Sequence, residues 1–279
     1  VVGAVKARRH PVVAAFMGSG KSVLIAELIR QTRPDTRSVV VAAPRANLVR
    51  QLASTMRRGL GAAAVGEWYE ARKEGDRPVV VTTYQSLPML VEEWRRLGRV
   101  PRLLVCDEAH RTEAPSVLAS IEALRALVPS GHLARIGLTA TPYRSKQKET
   151  LSLWEEVVYR YGYRNGLADN VIVPHLVHNW DRDADLRDEQ VDEICLHMLR
   201  KHEVYPTLAS SDSIEDARVF AAFLVGNGIP AAAFHSQLSL KEQGRLVDAL
   251  RAGELKVLVH VSMLAEGSDF PWLRGLLLR

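Results

Sequence analysis

Short apolar runs alternate with longer amphipathic stretches over the first 145 residues of the chain. The runs are rich in β-branched residues and predict strands at 11–16, 38–43, 78–83, 102–106 and 135–139. Leu24 and Leu28 recur at helical spacing after the first run, as do Leu48, Leu52 and Met56 after the second. Several runs are almost continuously apolar, which is typical of strands covered on both faces. The alternation predicts an α/β fold with a mainly parallel sheet.

The middle of the chain has a weaker pattern. Residues 143–205 show no sustained period, and residues 181–193 carry seven acidic and two basic side chains. We expect a connector in this region, with a helix around residues 188–200.

The last third of the chain returns to an αβ pattern. Ser213 with Asp216, and Ser239 with Glu242, have capping-box spacing and predict the starts of two helices. Gly253 is suited to end the second helix, and the apolar run that follows it predicts a buried strand.

Composition excludes several classes of protein. The 279 residues are 47% hydrophobic and 25% charged, which excludes wholesale disorder, a coiled coil and a collagen-like fibre. No apolar run approaches the ~18–20 residues that cross a bilayer. The two cysteines, Cys106 and Cys195, are too few for a disulfide framework or a zinc cluster, and both fit core positions. We expect a soluble, cytoplasmic protein without a membrane partner, and its Ala- and Arg-rich composition favours a bacterial or phage source.

Charge is unevenly distributed along the chain. Residues 1–160 carry 25 basic and 15 acidic side chains, whereas residues 161–279 carry 12 and 17. The excess of basic side chains in the first part indicates a polyanionic partner such as nucleic acid. A solvated surface that is rich in arginine explains the same excess equally well. Because the chain starts at Val1 and stops at Arg279 within an apolar stretch, we expect a piece of a longer protein.

A phosphate-binding loop follows the first predicted strand. Residues 15–22 read Ala-Phe-Met-Gly-Ser-Gly-Lys-Ser, a P-loop pattern with alanine at its first glycine position. Backbone N–H groups of such a loop surround phosphate oxygens at the positive end of a helix. Lys21 would reach the β- and γ-phosphates of ATP, and the Ser22 hydroxyl would bind Mg²⁺. The candidate nucleotide-binding residues are therefore Met17, Gly18, Ser19, Gly20, Lys21 and Ser22.

An acidic pair follows another predicted strand. Asp107 and Glu108 come directly after an apolar run, where two carboxylates are costly unless they serve a cation. Asp107 would hold Mg²⁺, and Glu108 would polarise the water that attacks the γ-phosphate. A helix N-terminal acidic pair is the alternative, and the nearby P-loop argues against it.

Together these residues resemble the superfamily 2 helicases and translocases. The family's motifs match in order along almost the whole chain, with motif Ia at 41–45, Ib at 82–87, II at 107–110, III at 138–144 and V at 262–269. The wording of these motifs is most similar to that of one branch of the family, which holds the XPB-like, UvsW-like and RadD-like helicases and the motor subunits of restriction enzymes. The resemblance implies two RecA-like lobes, at 1–160 and, truncated, at 205–279, with residues 161–204 joining them.

The resemblance also implies roles for individual residues. His110, Thr139 and Thr141 would couple the nucleotide state to the rest of the protein, and Gly267 and Asp269 would contact the nucleotide. The residues that would contact nucleic acid are Arg45, Thr83, Tyr84, Gln85 and Ser86. Contacts of this kind position a backbone without reading its bases. For Tyr84 and Gln85, a loop that satisfies its own backbone is the alternative.

The function that the resemblance implies is an ATP-dependent helicase or translocase, on DNA in preference to RNA. The family's motif VI, which carries the arginine finger, and its upstream adenine-recognition segment have no match in the chain. We therefore expect residues 1–279 alone to hydrolyse ATP poorly. Two alternatives stay open: the motor part of a type I or III restriction enzyme, with a nuclease domain outside these residues, and a nucleic-acid-binding module without turnover.

Overall fold

The chain forms two α/β units, Val1–Leu176 and Val177–Arg279. The computed structural model describes residues 1–16, 18–32, 38–142, 152–172, 176–177, 188–261 and 270–279. Within these ranges no helix is long and apolar enough to cross a membrane.

The first unit is built on an eight-stranded sheet. Its strands are β1 (Pro11–Ala15), β2 (Val39–Ala43), β3 (Val65–Tyr69), β4 (Arg72–Lys73), β5 (Val79–Thr83), β6 (Leu103–Asp107), β7 (Ala134–Thr139) and β8 (Glu156–Tyr161). They lie in the order β4-β3-β5-β2-β6-β7-β1-β8, and every pair is parallel except β3 with β4. All five predicted strands of this part are confirmed within one residue at each end.

Helices cover both faces of this sheet. They are α1 (Val2–Lys6), α2 (Lys21–Thr32), α3 (Ala46–Leu60), α4 (Leu87–Arg96), α5 (Pro115–Ala126) and α6 (Tyr163–Ala168). Successive strand residues point to opposite faces, so Val39 and Val41 pack in the core with α2 and α3, whereas Val40 packs with α4 and α5. Burial on both faces explains why these strands are apolar at nearly every position.

The second unit has a four-stranded parallel sheet in the order β10-β11-β9-β12. Its elements are α7 (Asp188–His202), β9 (Thr207–Ser210), α8 (Ile214–Gly226), β10 (Ala231–Phe234), α9 (Leu240–Ala252), β11 (Val257–His260) and β12 (Gly275–Leu277). Ser239 and Glu242 form the predicted capping box, and Gly253 ends α9 in a left-handed conformation. These contacts confirm the predicted start and end of α9.

Ser213 caps α8, but its predicted reciprocal contact with Asp216 is not formed. The Ser213 hydroxyl accepts a hydrogen bond from the Asp216 N–H. The Asp216 carboxylate is bound by Ser211 and by Arg279 instead. Arg279 also donates to Asp192 of α7, so the charge of Asp216 is used to join α8 to the end of the chain.

The described parts of the predicted connector, 161–204, are divided between the two units. Tyr161 ends β8, and α6 follows it within the first unit. Helix α7 instead packs Cys195, Leu196 and Leu199 against Phe220 of α8 in the second unit. Helix α7 joins the core of the second unit because these apolar side chains are buried there.

Candidate nucleotide-binding site

Five strand ends bring the predicted motifs to one edge of the first sheet. Because the strands are parallel, the carboxyl ends of β5, β2, β6, β7 and β1 lie side by side in that order. Motifs Ib and Ia follow the first two strands, motifs II and III follow the next two, and the P-loop follows β1. Ligands of open α/β sheets bind at this kind of edge.

The P-loop turns on two glycines. Gly18 and Gly20 have φ angles of 79° and 80°, a region that side-chain-bearing residues rarely adopt. Helix α2 begins at Lys21 directly after the second glycine, so its free N–H groups face the loop. The Lys21 ammonium donates to the carbonyls of Ala15 and Phe16, both at 3.3 Å, which keeps its charge at the loop. Ser22 is the second residue of α2.

Phe16 anchors the loop to the end of β8. Its ring stacks on Tyr161 with 5.3 Å between centroids, and its N–H donates to the Tyr161 carbonyl at 3.2 Å. Gly166 of α6 lies so close that an added Cβ would be 2.3 Å from the Phe16 ring. The segment after β8 therefore supports the start of the P-loop, a contribution that the motif pattern does not contain.

Asp107 is the last residue of β6 and is buried. Its Oδ1 atom has no hydrogen-bond partner among the described residues. Burial, helped by the neighbouring Glu108 charge, raises the pKa of Asp107 to about 6, although Lys21 acts in the opposite direction. The charge of a buried carboxylate with a raised pKa is stabilised by a nearby cation. Mg²⁺ prefers carboxylate and other oxygen ligands. The site residues therefore fit Mg²⁺.

Glu108 has an unusual backbone. Its φ of 50° is in the left-handed region, which places it at the entry to a 3₁₀ turn, Ala109–Glu113. Its carboxylate is partly accessible, unlike that of Asp107. The two acidic side chains thus have different environments at the same sheet edge.

Motifs II and III are joined by a histidine and two threonines. Nδ1 of His110 lies 3.0 Å from Oγ1 of Thr139 and 3.4 Å from Oγ1 of Thr141. The Thr139 Oγ1 atom also accepts a hydrogen bond from the Thr141 N–H at 3.1 Å, which ties the two threonines together. Nδ1 is also 3.5 Å from the Glu108 carboxylate. The structure therefore brings the three predicted coupling residues together beside Glu108.

Two of the five predicted nucleic-acid residues are exposed. Arg45 stands at the N-cap of α3, and Gln85 lies in the turn after β5. Thr83 and Ser86 are buried, and the Ser86 N–H donates to Oγ1 of Thr83 at 3.1 Å. The hydroxyl of Thr83 thus satisfies its own turn.

Tyr84 is a correction to the expected nucleic-acid contacts. Its side chain is 7% exposed, and its hydroxyl donates to the Asp107 carbonyl at 2.7 Å. Burial is the main reason that the pKa of Tyr84 is well above its usual value. The ring is covered by the core of the first unit, so the side chain as placed is not available to a strand of nucleic acid.

The family comparison agrees with this arrangement. The family described as type III restriction enzyme, res subunit, matches residues 3–144. The helicase conserved C-terminal domain matches residues 189–275. The chain belongs to the superfamily 2 helicases.

Similar proteins include other helicases. Irc3 of Schizosaccharomyces pombe is 26% identical over 95% of this chain and 47% of its own length. The DNA 3'-5' helicase XPB of Kineococcus radiotolerans is 28% identical over 93% of this chain and 49% of its own length. The chain thus spans about half the length of these curated relatives.

A solved helicase domain shares the fold. The Hef helicase domain of Pyrococcus furiosus has a TM-score of 0.63 and 18% identity, over 99% of this chain and 88% of that one. This likeness agrees with the two α/β units and their mainly parallel sheets.

Three predicted nucleotide-binding residues, Met17, Gly267 and Asp269, lie outside the described residues. Their role in nucleotide binding therefore stays a prediction. Among the residues that are described, no group of three histidine, cysteine or acidic side chains could hold a metal ion. A cation at Asp107 would thus take its other ligands from a hydroxyl, from water and from the nucleotide.

Proposed function

We propose that the chain is the ATP-hydrolysing core of a helicase or translocase that moves along nucleic acid, DNA in preference to RNA. One observation carries the proposal. The P-loop and the acidic pair occupy the ends of β1 and β6, and the exposed residues Arg45 and Gln85 follow β2 and β5 on the same edge. Nucleotide chemistry and backbone contact can therefore act on one another through adjacent strands.

The residues of the P-loop and of motif II would act on ATP. The loop N–H groups and Lys21 bind the phosphates, while Ser22 and Asp107 hold Mg²⁺. Bound Mg²⁺ neutralises charge that develops on the phosphates. Glu108 orients the attacking water, and its partly accessible carboxylate suits a group that must meet solvent.

His110, Thr139 and Thr141 would transmit the nucleotide state. Their hydrogen bonds join the turn after β6 to the turn after β7, which lies between the acidic pair and the P-loop strand. A change in the position of Glu108 would therefore be felt at motif III. We propose this network as the coupling element of the first unit.

DNA is favoured over RNA by one observation, since the relative from Kineococcus is named a DNA helicase. The 25 basic against 15 acidic side chains of residues 1–160 suit either polyanion. Binding that depends on arginine and backbone N–H contacts with phosphates weakens steeply with added salt. We expect that dependence here.

ATP turnover by the full-length protein tests the proposal. We expect turnover to rise with duplex DNA, and to rise less with single-stranded DNA or RNA. Glu108→Gln should abolish the stimulated rate, while Glu122→Gln, at an exposed position on α5, should leave it unchanged. Equal turnover with all three polymers and without any would refute the motor function and favour a binding module.

A second candidate is the motor part of a restriction enzyme. The family match over residues 3–144 carries the description of a restriction-enzyme subunit. A nuclease domain in the full-length protein, and ATP-dependent cleavage of supercoiled DNA, would establish this function. Turnover without cleavage would favour a helicase or translocase that acts without a nuclease.

A further inference from the structure

We propose that Tyr84 is a positioning residue that holds the Asp107–Glu108 peptide in place and links contact with nucleic acid to ATP hydrolysis. The inference rests on the proposed function. The Tyr84 hydroxyl, at the end of β5, would control the catalytic turn at the end of β6, two strands away in the sheet.

The first step is the bond itself. The Tyr84 hydroxyl donates to the Asp107 carbonyl at 2.7 Å, and the ring is buried in the cluster that contains Ala42 and Cys106. That carbonyl belongs to the peptide that joins Asp107 to Glu108. Tyr84 therefore fixes the orientation of the one peptide that connects the two acidic residues.

The other end of the same peptide is the N–H of Glu108. Rotation of this peptide would move the N–H and the carbonyl together and would change the φ angle of Glu108, which is 50°. The hydroxyl of Tyr84 therefore bears on where the Glu108 carboxylate is held.

This peptide has a reason to rotate. Glu108 has a φ of 50°, which is unfavourable for a residue with a side chain. Strained backbone persists where the surroundings hold it in place. Loss of the hydroxyl would let the turn relax and would misplace the Glu108 carboxylate.

The backbone of Tyr84 lies in the predicted nucleic-acid region. Its N–H donates to the Ala43 carbonyl at 3.0 Å, two residues before Arg45, and the next residue is the exposed Gln85. Displacement of this turn by a bound phosphate backbone would move the phenol oxygen. The side chain would then carry that movement past β2 to the end of β6.

Tyr84→Phe tests the inference, because it removes only the hydroxyl. In the full-length protein with linear duplex DNA, we expect kcat at saturating DNA to fall about 10–100-fold. The KM for ATP and the DNA concentration for half-maximal stimulation should not change. Tyr69→Phe is the matched control, because Tyr69 is a buried tyrosine of β3 far from the acidic pair in strand order. Its kinetics should match the wild type. Gln85→Ala should show the opposite pattern, a higher DNA requirement.

Three results would overturn the inference, and they are distinguishable. Wild-type kcat in Tyr84→Phe would show that the hydroxyl does not position the peptide. A fall in kcat with an equal loss of nucleotide affinity and thermal stability would show a merely structural role. Wild-type protein without DNA-stimulated turnover would remove the proposed function as well.

Discussion

Substitution of Asp107 by asparagine should stabilise the protein while it removes the proposed metal ligand. The carboxyl is buried at the end of β6, beside Glu108, and its Oδ1 atom has no partner among the described residues. A group in this position opposes folding whenever it is ionised. Asparagine has nearly the same shape and carries no charge, so it isolates the electrostatic contribution.

The size of the effect follows from the pKa of Asp107. Burial, with a smaller contribution from Glu108, raises this pKa from 3.8 to about 6. The folded chain therefore binds the proton more tightly than the unfolded chain, and stability is lost as pH rises from about 4 to about 6. At about 1.4 kcal/mol per pKa unit, Asp107→Asn should raise the free energy of unfolding by about 3 kcal/mol at pH 7.5. The gain should shrink to about 1 kcal/mol at pH 4.5.

Urea unfolding with EDTA present measures this difference. Trp68, Trp94 and Trp154 all lie in the first unit, and their buried rings make fluorescence report its unfolding. Asp76→Asn, at an exposed position of the same unit, is the control and should have no effect at either pH. An equal gain for Asp107→Asn at both pH values would refute the reasoning, because only ionisation makes the gain depend on pH. In the wild type, Mg²⁺–nucleotide binding should weaken as pH falls below about 6, because a proton then competes with the cation.

Three further predictions follow from the described contacts. Lys21→Ala should abolish productive nucleotide binding, because it removes the ammonium at the loop carbonyls, and wild-type affinity for a fluorescent ATP analogue would contradict this. Gly166→Ala should destabilise the first unit by about 1–3 kcal/mol, since its Cβ would lie 2.3 Å from Phe16, and urea unfolding measures it. Ser239→Ala should cost about 1 kcal/mol in the second unit through loss of the capping box with Glu242, and an unchanged thermal midpoint would contradict the assignment.

The sequence pattern was sufficient for the central strands of the first sheet. They are buried on both faces, so Val39, Val40 and Val41 are all apolar and the run is unmistakable. Three strands of this sheet were missed for physical reasons. Strand β8 has mostly accessible residues, and β4 has only Arg72 and Lys73. Strand β3 is buried at all five positions, but a glycine and a glutamate interrupt its apolar run. Strand β12 has only three residues, and the apolar run that contains it and ends at Leu278 is too short to predict a strand.

The candidate site also has a part that the sequence predicts directly and a part that it does not. Gly18, Gly20 and Lys21 lie within one short loop and the start of α2, so their spacing alone identifies the loop. The contact of His110 with Thr139 spans 29 residues, and the family's motif order was needed to pair them. Local sequence determines a loop, whereas strand order determines which loops meet.

Tyr84 shows how strand order changes the meaning of a motif. In the sequence, a tyrosine between hydroxyl and amide residues fits a surface that contacts phosphates. In the sheet, β5 is separated from β6 by β2 alone, and a phenol has the length to cross that strand and reach the Asp107 carbonyl. The aromatic ring is therefore explained by distance as well as by burial, since a shorter hydroxyl at this position could not span β2. This geometry would make a residue of the proposed nucleic-acid motif part of the support for the proposed hydrolytic pair.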